Sequence, residues 1–470
     1  MSGDKNNKMI LGAFMQAANC SNYAASWRHP ETMTDFLTPE YFQRIARTLE
    51  DGKFHFAFID DRLAMPGIYR DSIEDSLIHG VRVVKFDLIP IVMAMAMSTE
   101  NLGVGATYST TYHGPFHIAR LFATLDHMTG GRVGWNVVTS LNDEEAQNFG
   151  LENHLKHDQR YDQADEVMEI IEGLWDTWAD DALIANKEEG IFADPDKVRR
   201  LEYTGSYVKS RGPLTVPRPP QGHPVVMQAG QSSRGRDFAA KWGEVIFAVF
   251  KTIEEGKRIG EDIRERAAKY GRNPQDIKIV TAAYAIPGTT TESATEKMKF
   301  IESLATTTDK LTLLSELLNF DFGAYDMNHQ LTPEQLNSIS GSRGMAEQFM
   351  KEGKEPTISE FIDASNRGTI HELPVFCGTP NNIATEMTEW FTEGGCDGFM
   401  LAATHVPGAY EDFVRMVIPK LQEMGTVQSE YTGQTMRRPR ARETYESIFR
   451  PTTINPQSNG VYLLCLSSLI

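Results

Sequence analysis

The feature that most constrains the fold is a regular alternation of short, apolar, strand-like runs with amphipathic helical segments along the chain. Such alternation is typical of a parallel sheet with crossover helices. The predicted strands are Met9–Met15, Phe54–Ile59, Leu102–Thr107, Val133–Thr139, Pro224–Ala229, Val245–Val249, Ile277–Ile286 and Gly398–Ala402. Eight strand–helix units predict a closed (β/α)8 barrel. The alternative is an open doubly wound sheet, although no Gly-x-Gly-x-x-Gly turn follows the first strand, as a dinucleotide-binding sheet would require.

The barrel is predicted to span residues 1–435 as one domain that carries two insertions. Residues 179–222 contain Pro and Gly, have no clear periodicity, and are interpreted as an insertion over the barrel. Residues 289–370 contain several helical patterns without a strand between them and form the second, helical insertion. Residues 436–470 are predicted to be a C-terminal tail, because a basic run opens them and no periodicity follows.

Composition narrows the classes of partner and compartment. The net charge is −18, and a field of that sign repels nucleic acid and anionic membranes, so neither is expected as a partner. The four cysteines form no CxxC pair or disulfide framework, which fits a reducing cytoplasm. We expect no secretory signal and no membrane span. His154 and His157 have metal-pair spacing but no third ligand at matching spacing, so no metal is expected.

Polar residues follow several predicted strands, and active sites of (β/α)8 barrels lie at those strand ends. Taken singly, each Ser or Thr there more often caps a helix. The candidates are Asp61 after strand two, Thr107–Thr111 after strand three, Asn136 and Thr139 at strand four, and Gly230–Ser233 after strand five.

Two features are more specific than these single residues. His157 and Tyr161 are four residues apart, so they share one face at the start of a long predicted helix. By spacing alone, a surface pair or a core tyrosine is the commoner explanation. The run Gln228–Arg234 reads as a strand end, a small-residue turn and a helix start, which exposes N–H groups and the Ser232 hydroxyl to an anion. Convergence of the two clusters would form a phosphate site.

The residues around the predicted mouth of the barrel are mostly apolar, with basic side chains nearby only at Arg28, Arg62 and Arg234. A buried carboxylate without a partner is costly. We therefore expect a neutral, largely apolar and aromatic substrate. The apolar candidates are Phe14, Phe56, Phe58, Phe247 and Val249 on strands, with Val375 and Phe376 in the loop before strand eight.

Several segments together resemble the nitrilotriacetate monooxygenase component A group of the luciferase-like flavin monooxygenases, and among these dibenzothiophene-sulfone monooxygenase most. The resemblance covers roughly residues 9–435 and weakens through 289–370. The segments are Ser26–Pro30, Ile45–Phe54, Ala119–Asp126, Gly131–Asn142, Phe192–Pro195 and Gln228–Gly230.

The resemblance implies a luciferase-like barrel that binds reduced FMN and uses O2 as co-substrate. A separate NAD(P)H:FMN reductase would supply the flavin, and a homo-oligomer, a dimer or tetramer, is expected. The family's flavin contacts fall on Asp61, Thr107, His157, Tyr161 and Ser232. The resemblance also places Asn136 near the flavin ring and His117 in the same cleft, as the candidate catalytic residues.

Substrate residues depart from those of the sulfone enzymes. Asn22 stands where those enzymes place a histidine, and another of their histidines falls near Leu317. The resemblance therefore suggests a halogenated or thioether-bearing aromatic substrate rather than a fused-ring sulfone, with Asn22 in the substrate pocket. An aminopolycarboxylate monooxygenase, a deazaflavin-dependent oxidoreductase on the same barrel and a non-catalytic flavin-binding relative remain as alternatives.

Overall fold

The computed structural model describes residues 8–20, 22–341, 344–433 and 435–437. The predicted tail, 436–470, lies outside the described residues apart from Met436 and Arg437, so its boundary stays a prediction. Among the described residues, every helix is too short or too polar to cross a lipid bilayer.

Thirteen strands are described, and most of them belong to one sheet. The strands are β1 (Ile10–Gln16), β2 (Phe56–Asp60), β3 (Gly103–Ser109), β4 (Val133–Val138), β5 (Leu183–Asn186), β6 (Ile191–Ala193), β7 (Tyr203–Thr204), β8 (Lys209–Ser210), β9 (Val225–Gln228), β10 (Val245–Ala248), β11 (Lys278–Pro287), β12 (Val375–Gly378) and β13 (Gly398–Ala402).

Eight of these strands close into a parallel barrel in the order β1-β2-β3-β4-β9-β10-β11-β13. The last strand pairs back with the first, Ile10 lying opposite Gly398 and Phe14 opposite Ala402. Each of the eight predicted strands contributes one barrel strand, with end points shifted by a few residues. The predicted (β/α)8 fold is therefore confirmed, and the open doubly wound sheet is wrong.

A ninth strand was not predicted. Val375 and Phe376, placed in a loop by the sequence, lie in β12, which pairs in parallel with the far end of β11 at Tyr284 and Ala285. The ten-residue β11 extends past its barrel neighbours and offers a free edge there. A four-residue run has too little periodicity to be identified from sequence alone.

The helices surround the barrel and connect its strands. They are α1 (Pro39–Asp51), α2 (Glu74–His79), α3 (Leu88–Ala96), α4 (Pro115–Met128), α5 (Asp143–Asn148), α6 (His157–Trp175), α7 (Ser233–Trp242), α8 (Ile253–Lys269), α9 (Thr291–Glu302), α10 (Thr307–Leu318), α11 (Pro333–Ser338), α12 (Gly344–Lys351), α13 (Ile358–Ser365), α14 (Pro380–Thr392), α15 (Gly408–Asp412) and α16 (Ile418–Glu423).

Alternation along each strand separates an inner core from an outer one. Outward-facing residues such as Trp135 pack against helices, and Trp175 of α6 meets Trp135 edge-to-face at 6.5 Å. Glycine keeps the interior open for larger neighbours: a Cβ on Gly105 would lie 2.9 Å from the Met227 sulfur, and one on Gly12 would lie 2.4 Å from the Met400 sulfur. These close approaches explain why small residues alternate with large ones inside a narrow barrel.

The chain between β4 and β9 contains α5, α6 and two antiparallel hairpins, β5–β6 and β7–β8. Between β11 and β12 lie α9 to α13. These helices have an apolar cluster of their own, which includes Leu314, Phe322, Ile358 and Phe361. One buried ion pair fixes α10 to the loop after β1, since both Asp309 oxygens accept from the Arg28 guanidinium at 2.7 and 3.0 Å.

We expect Arg28→Met to lower the free energy of unfolding by about 3 kcal/mol, because it leaves the Asp309 carboxylate buried without its cation. Asp309 has a side chain that is only 1% exposed. Arg44→Met is the matched control, since the Arg44–Glu411 pair is exposed and should contribute less than about 1 kcal/mol. Urea unfolding curves measure both. Equal effects in the two variants would contradict the expectation.

Candidate active site

Two predicted site residues meet on neighbouring strands at the mouth of the barrel. Asn136 on β4 donates from Nδ2 to Thr107 Oγ1 at 2.9 Å, and the Thr107 hydroxyl donates to the Ile59 carbonyl at 2.8 Å. Both side chains are buried, yet Asn136 Oδ1 has no hydrogen-bond partner. A buried acceptor left unpaired is costly. Asn136 lies in the C-terminal half of β4, on the side of the barrel where the strands end.

Two helix starts converge at the other predicted cluster. His157 is the first residue of α6, and Ser232 is the N-cap of α7, where its hydroxyl accepts from the Gly235 N–H at 3.0 Å. Ser232 Oγ and His157 Nε2 are 3.2 Å apart although they are 75 residues apart in sequence. Helix N-termini carry partial positive charge and free N–H groups. The convergence of these side chains forms an anion-binding arrangement.

Tyr161, one turn into α6, completes this cluster. Its ring centroid is 5.1 Å from that of His157. A Cβ on Gly230 would lie 2.8 Å from the Tyr161 hydroxyl oxygen, and one on Gly235 would lie 2.9 Å from it, so glycine at both positions makes room for the phenol. Burial raises the pKa of Tyr161, which keeps the hydroxyl protonated as a donor.

Asp61 lies just beyond β2 and lines a cavity of about 400 Å³ together with Tyr108 and His113. Its Oδ1 accepts from the Arg62 N–H at 2.8 Å. Burial raises the pKa of Asp61 to about 7, the nearby Asp60 carboxylate adds to this rise, and the positive charge of Lys85 opposes it. A carboxyl group in this state can accept or donate a hydrogen bond near neutral pH.

The histidine on this cavity is not the predicted one. His117 is exposed on α4, and its ring centroid lies 6.5 Å from that of Tyr108. His113 lines the cavity and stacks on Tyr108 at 4.0 Å. His113 belongs to the polar run that follows β3, so its position after a strand end was the signal that sequence reasoning missed.

Three predicted pocket residues form an aromatic platform, which we define as Phe14, Phe58 and Phe247. Their ring centroids are 5.2 to 5.9 Å apart, and the Phe58 and Phe247 planes are nearly parallel at 4°. All three point into the barrel interior, where Val249 packs against the same cluster. The rings come from β1, β2 and β10, so closure of the barrel is what brings them together.

Asn22 lies in a polar network rather than on the aromatic platform. The Asn22 Oδ1 atom accepts from Arg82 at 2.6 Å, and Nδ2 donates to Glu372 at 3.1 Å. With both ends of its amide engaged, Asn22 orients Arg82 and Glu372. Its assignment to the substrate pocket stays untested.

The expectation that only Arg28, Arg62 and Arg234 lie near the mouth is wrong. Arg28 pairs with Asp309, and Arg234 pairs with Asp162 and Asp165 of α6. Arg62 does line the cavity, but so do two basic residues that sequence reasoning missed. These residues are Arg82 and Lys85, which lie on the loop before α3. That loop has no strand periodicity, so nothing in the sequence placed it at a strand end.

The chain is similar to known proteins along most of its length. Residues 18–398 match the family model described as luciferase-like monooxygenase. Dibenzothiophene-sulfone monooxygenase of Rhodococcus erythropolis is 40% identical over 443 residues, which are 92% of this chain and 96% of that protein. N-acetyl-S-(2-succino)cysteine monooxygenase of Bacillus subtilis strain 168 is 40% identical over 440 residues, with the same coverage.

A solved structure of riboflavin lyase with modified FMN and its substrate riboflavin superimposes on this chain with a TM-score of 0.84. It is 31% identical, and the match covers 92% of this chain and 95% of that one. The resemblance found in the sequence segments is therefore confirmed over most of the chain.

We expect the carboxyl group of Asp61 to titrate near pH 7, and Lys85→Met to raise that midpoint further, because the ammonium group favours the ionised form. Infrared difference spectra between the wild type and Asp61→Asn, recorded across pH, isolate the band of this carboxyl. A midpoint near the ordinary value of about 4 would show that Asp61 is solvated instead of buried.

Proposed function

Because the chain belongs to the luciferase-like monooxygenase family, we propose that it is the oxygenase component of a two-component, reduced-FMN-dependent monooxygenase. In this reaction one atom of O2 enters the organic substrate and the other leaves as water, with two electrons from reduced FMN. The observation that carries the proposal is the 3.2 Å approach of Ser232 and His157 at two helix starts beside the barrel mouth. A flavin phosphate has the charge and the acceptor oxygens that such a site binds.

The residues present fit FMN at three points. The α6 and α7 starts offer donors to the phosphate through His157, Tyr161 and Ser232. The glycines at 230 and 235 leave the backbone open beside the Tyr161 hydroxyl. The unpaired Asn136 Oδ1 is a buried acceptor that suits a ring N–H of the flavin. The solved relative with modified FMN supports the same cofactor.

Within this proposal, the protein binds, orients and shields the reacting groups. Asn136, held by Thr107, would orient the flavin ring, and Asp61 would contact the flavin as an acid or a carboxylate near neutral pH. Reduced FMN, when bound, supplies the electrons that activate O2; the rest of the site supplies position and dryness. The aromatic platform excludes water from the reacting part of the substrate.

The substrate class follows from the same surfaces. The aromatic platform favours an apolar, aromatic or thioether-bearing group at the reacting position, since flat apolar surface packs well on such rings. The two relatives described above act, by their names, on an organosulfur sulfone and on a succinylated cysteine, which is a thioether. We therefore propose an organosulfur substrate, with a halogenated aromatic as the alternative. The expectation of a neutral substrate is withdrawn, because it assumed few basic residues at the barrel mouth, and Arg82 and Lys85 also line the cavity.

We expect Ser232→Ala and Tyr161→Phe each to raise the Kd of FMN about tenfold or more, since one hydrogen bond to a charged phosphate is worth roughly 1.5–3 kcal/mol. Fluorescence quenching titrations measure this. Riboflavin, which has no phosphate, is the matched control ligand, and its Kd should change little. Tyr203→Phe, which loses only a surface bond to Glu169, is the control variant. Unchanged FMN affinity in both site variants would remove these residues from the phosphate site.

We also expect the purified protein with FMN and NADH to consume no more NADH than a protein-free blank. The reason is that the chain has no nicotinamide-binding fingerprint and depends on a partner for reduced flavin. Adding a separate flavin reductase should start oxygenation of the substrate. Oxygen uptake and the mass of the product measure this reaction. Rapid NADH consumption without the reductase would contradict the two-component proposal.

A further inference from the structure

Two buried cations on the cavity wall lack an acidic partner. Arg82 is 8% exposed, and its hydrogen bonds go to neutral oxygens: the Asn22 side-chain oxygen at 2.6 Å and the Asn22 carbonyl at 3.4 Å. With the Gln16 amide in its hydrogen-bonded orientation, the Gln16 oxygen also accepts from the Arg82 guanidinium at 3.1 and 3.3 Å. The Nζ atom of Lys85 is buried and has no hydrogen-bond partner. Within the described ranges, neither side chain lies within salt-bridge distance of a carboxylate. Buried charges in proteins are normally paired, so this pair of cations is unusual.

Among the described residues, no neighbouring carboxylate forms a hydrogen bond with Arg82 or Lys85. Arg62 lies 3.9 Å from Glu145 and 3.8 Å from Glu316, which is too far for a hydrogen bond. Arg367 pairs with Glu372. Burial, together with the positive charges of Arg82 and Arg62, lowers the pKa of Arg367 to about 9. Burial is the main cause of this lowered pKa, and the neighbouring guanidinium groups add to it.

The surrounding acids limit the site to a single anionic group. Burial lowers the pKa of Lys85, and the negative charges of Glu316 and Asp60 oppose this shift. Asp61 is also near, but none of the three carboxylates bonds the Lys85 ammonium. Glu145 caps α5 and bonds the Leu63 and Leu141 N–H groups, so it is already occupied. A ligand with several carboxylates would therefore be repelled by these acidic side chains. A ligand with one carboxylate can place it against Lys85 and Arg82.

We propose that Lys85 and Arg82 bind a carboxylate group of the substrate on this wall of the cavity. This inference rests on the proposed function and narrows its substrate to a carboxylate-bearing organosulfur compound. Lys85 offers a compact charge with three donors, and Arg82 offers further guanidinium donors held in place by Asn22. Apolar residues of the same cavity, such as Leu63, Val83 and Tyr108, accommodate the rest of the molecule.

Matched probes test the inference at equilibrium. (Phenylthio)acetate and (phenylthio)acetamide share the ring and the thioether and differ only in charge at one end. We expect wild-type protein, in the presence of oxidised FMN, to bind the acid more tightly by calorimetry. Lys85→Met and Arg82→Gln should each weaken binding of the acid about tenfold or more and change binding of the amide little. Lys257→Met on α8, which removes a surface ion pair with Glu393, should leave both affinities unchanged.

Three outcomes would overturn the inference. Wild-type protein that prefers the amide or binds neither probe has no carboxylate subsite. If a variant binds the acid and the amide more weakly by the same factor, the substitution has changed the shape of the pocket and not the recognition of charge. Its thermal unfolding curve shows whether the fold itself was lost. If a variant binds FMN more weakly but binds (phenylthio)acetate as tightly as the wild type does, Lys85 and Arg82 belong to the flavin site. Because these titrations need neither O2 nor reductase, acid selectivity without oxygenation would contradict only the proposed function.

Discussion

The parallel pairing of β13 with β1 is the constraint on which the rest of the molecule depends, because it closes the sheet into a barrel. In a closed parallel barrel all strands end on the same rim. Asp61, Thr107, Asn136 and Ser232 are far apart in the sequence, yet each lies in the C-terminal half of a barrel strand or shortly after it, and therefore near that rim. The helices around the barrel bury the outward residues and hold this arrangement in place.

The rim carries two different electrostatic surfaces. After β4 and β9, the starts of α6 and α7 bring His157 and Ser232 together and suit a phosphate. After β2, the cavity wall carries Arg82 and Lys85 without acidic partners. In the strand order, β3 separates β2 from β4, so the two proposed anion sites occupy different parts of the rim. A flavin phosphate and a substrate carboxylate could thus bind without competing.

Much of this arrangement could be predicted from the sequence. Strand periodicity located all eight barrel strands, and strand ends pointed to Asp61, Thr107 and Asn136, because position along a strand determines position in the barrel. The spacing of His157 and Tyr161, and the small-residue turn at Gly230, pointed to the two clusters that meet at the starts of α6 and α7. Whether the two clusters converge could not be known until the barrel order was known.

What the sequence did not predict lies on loops. Arg82 and Lys85 belong to a loop without periodicity, and their lack of partners depends on side chains from distant elements such as Asn22 and Glu316. That His113 rather than His117 lines the cavity depends on where α4 begins, and helix boundaries are the least certain part of any pattern. Likewise, β12 is recognisable only because β11 extends beyond the barrel to pair with it.

A crystal structure of the protein soaked with FMN tests the central claim most directly. The account predicts that the flavin phosphate lies between the starts of α6 and α7, within hydrogen-bond distance of Ser232 and Tyr161, and that the ring reaches Asn136 at the barrel mouth. Clear density for the phosphate elsewhere, for instance against Lys85 and Arg82, would contradict this account.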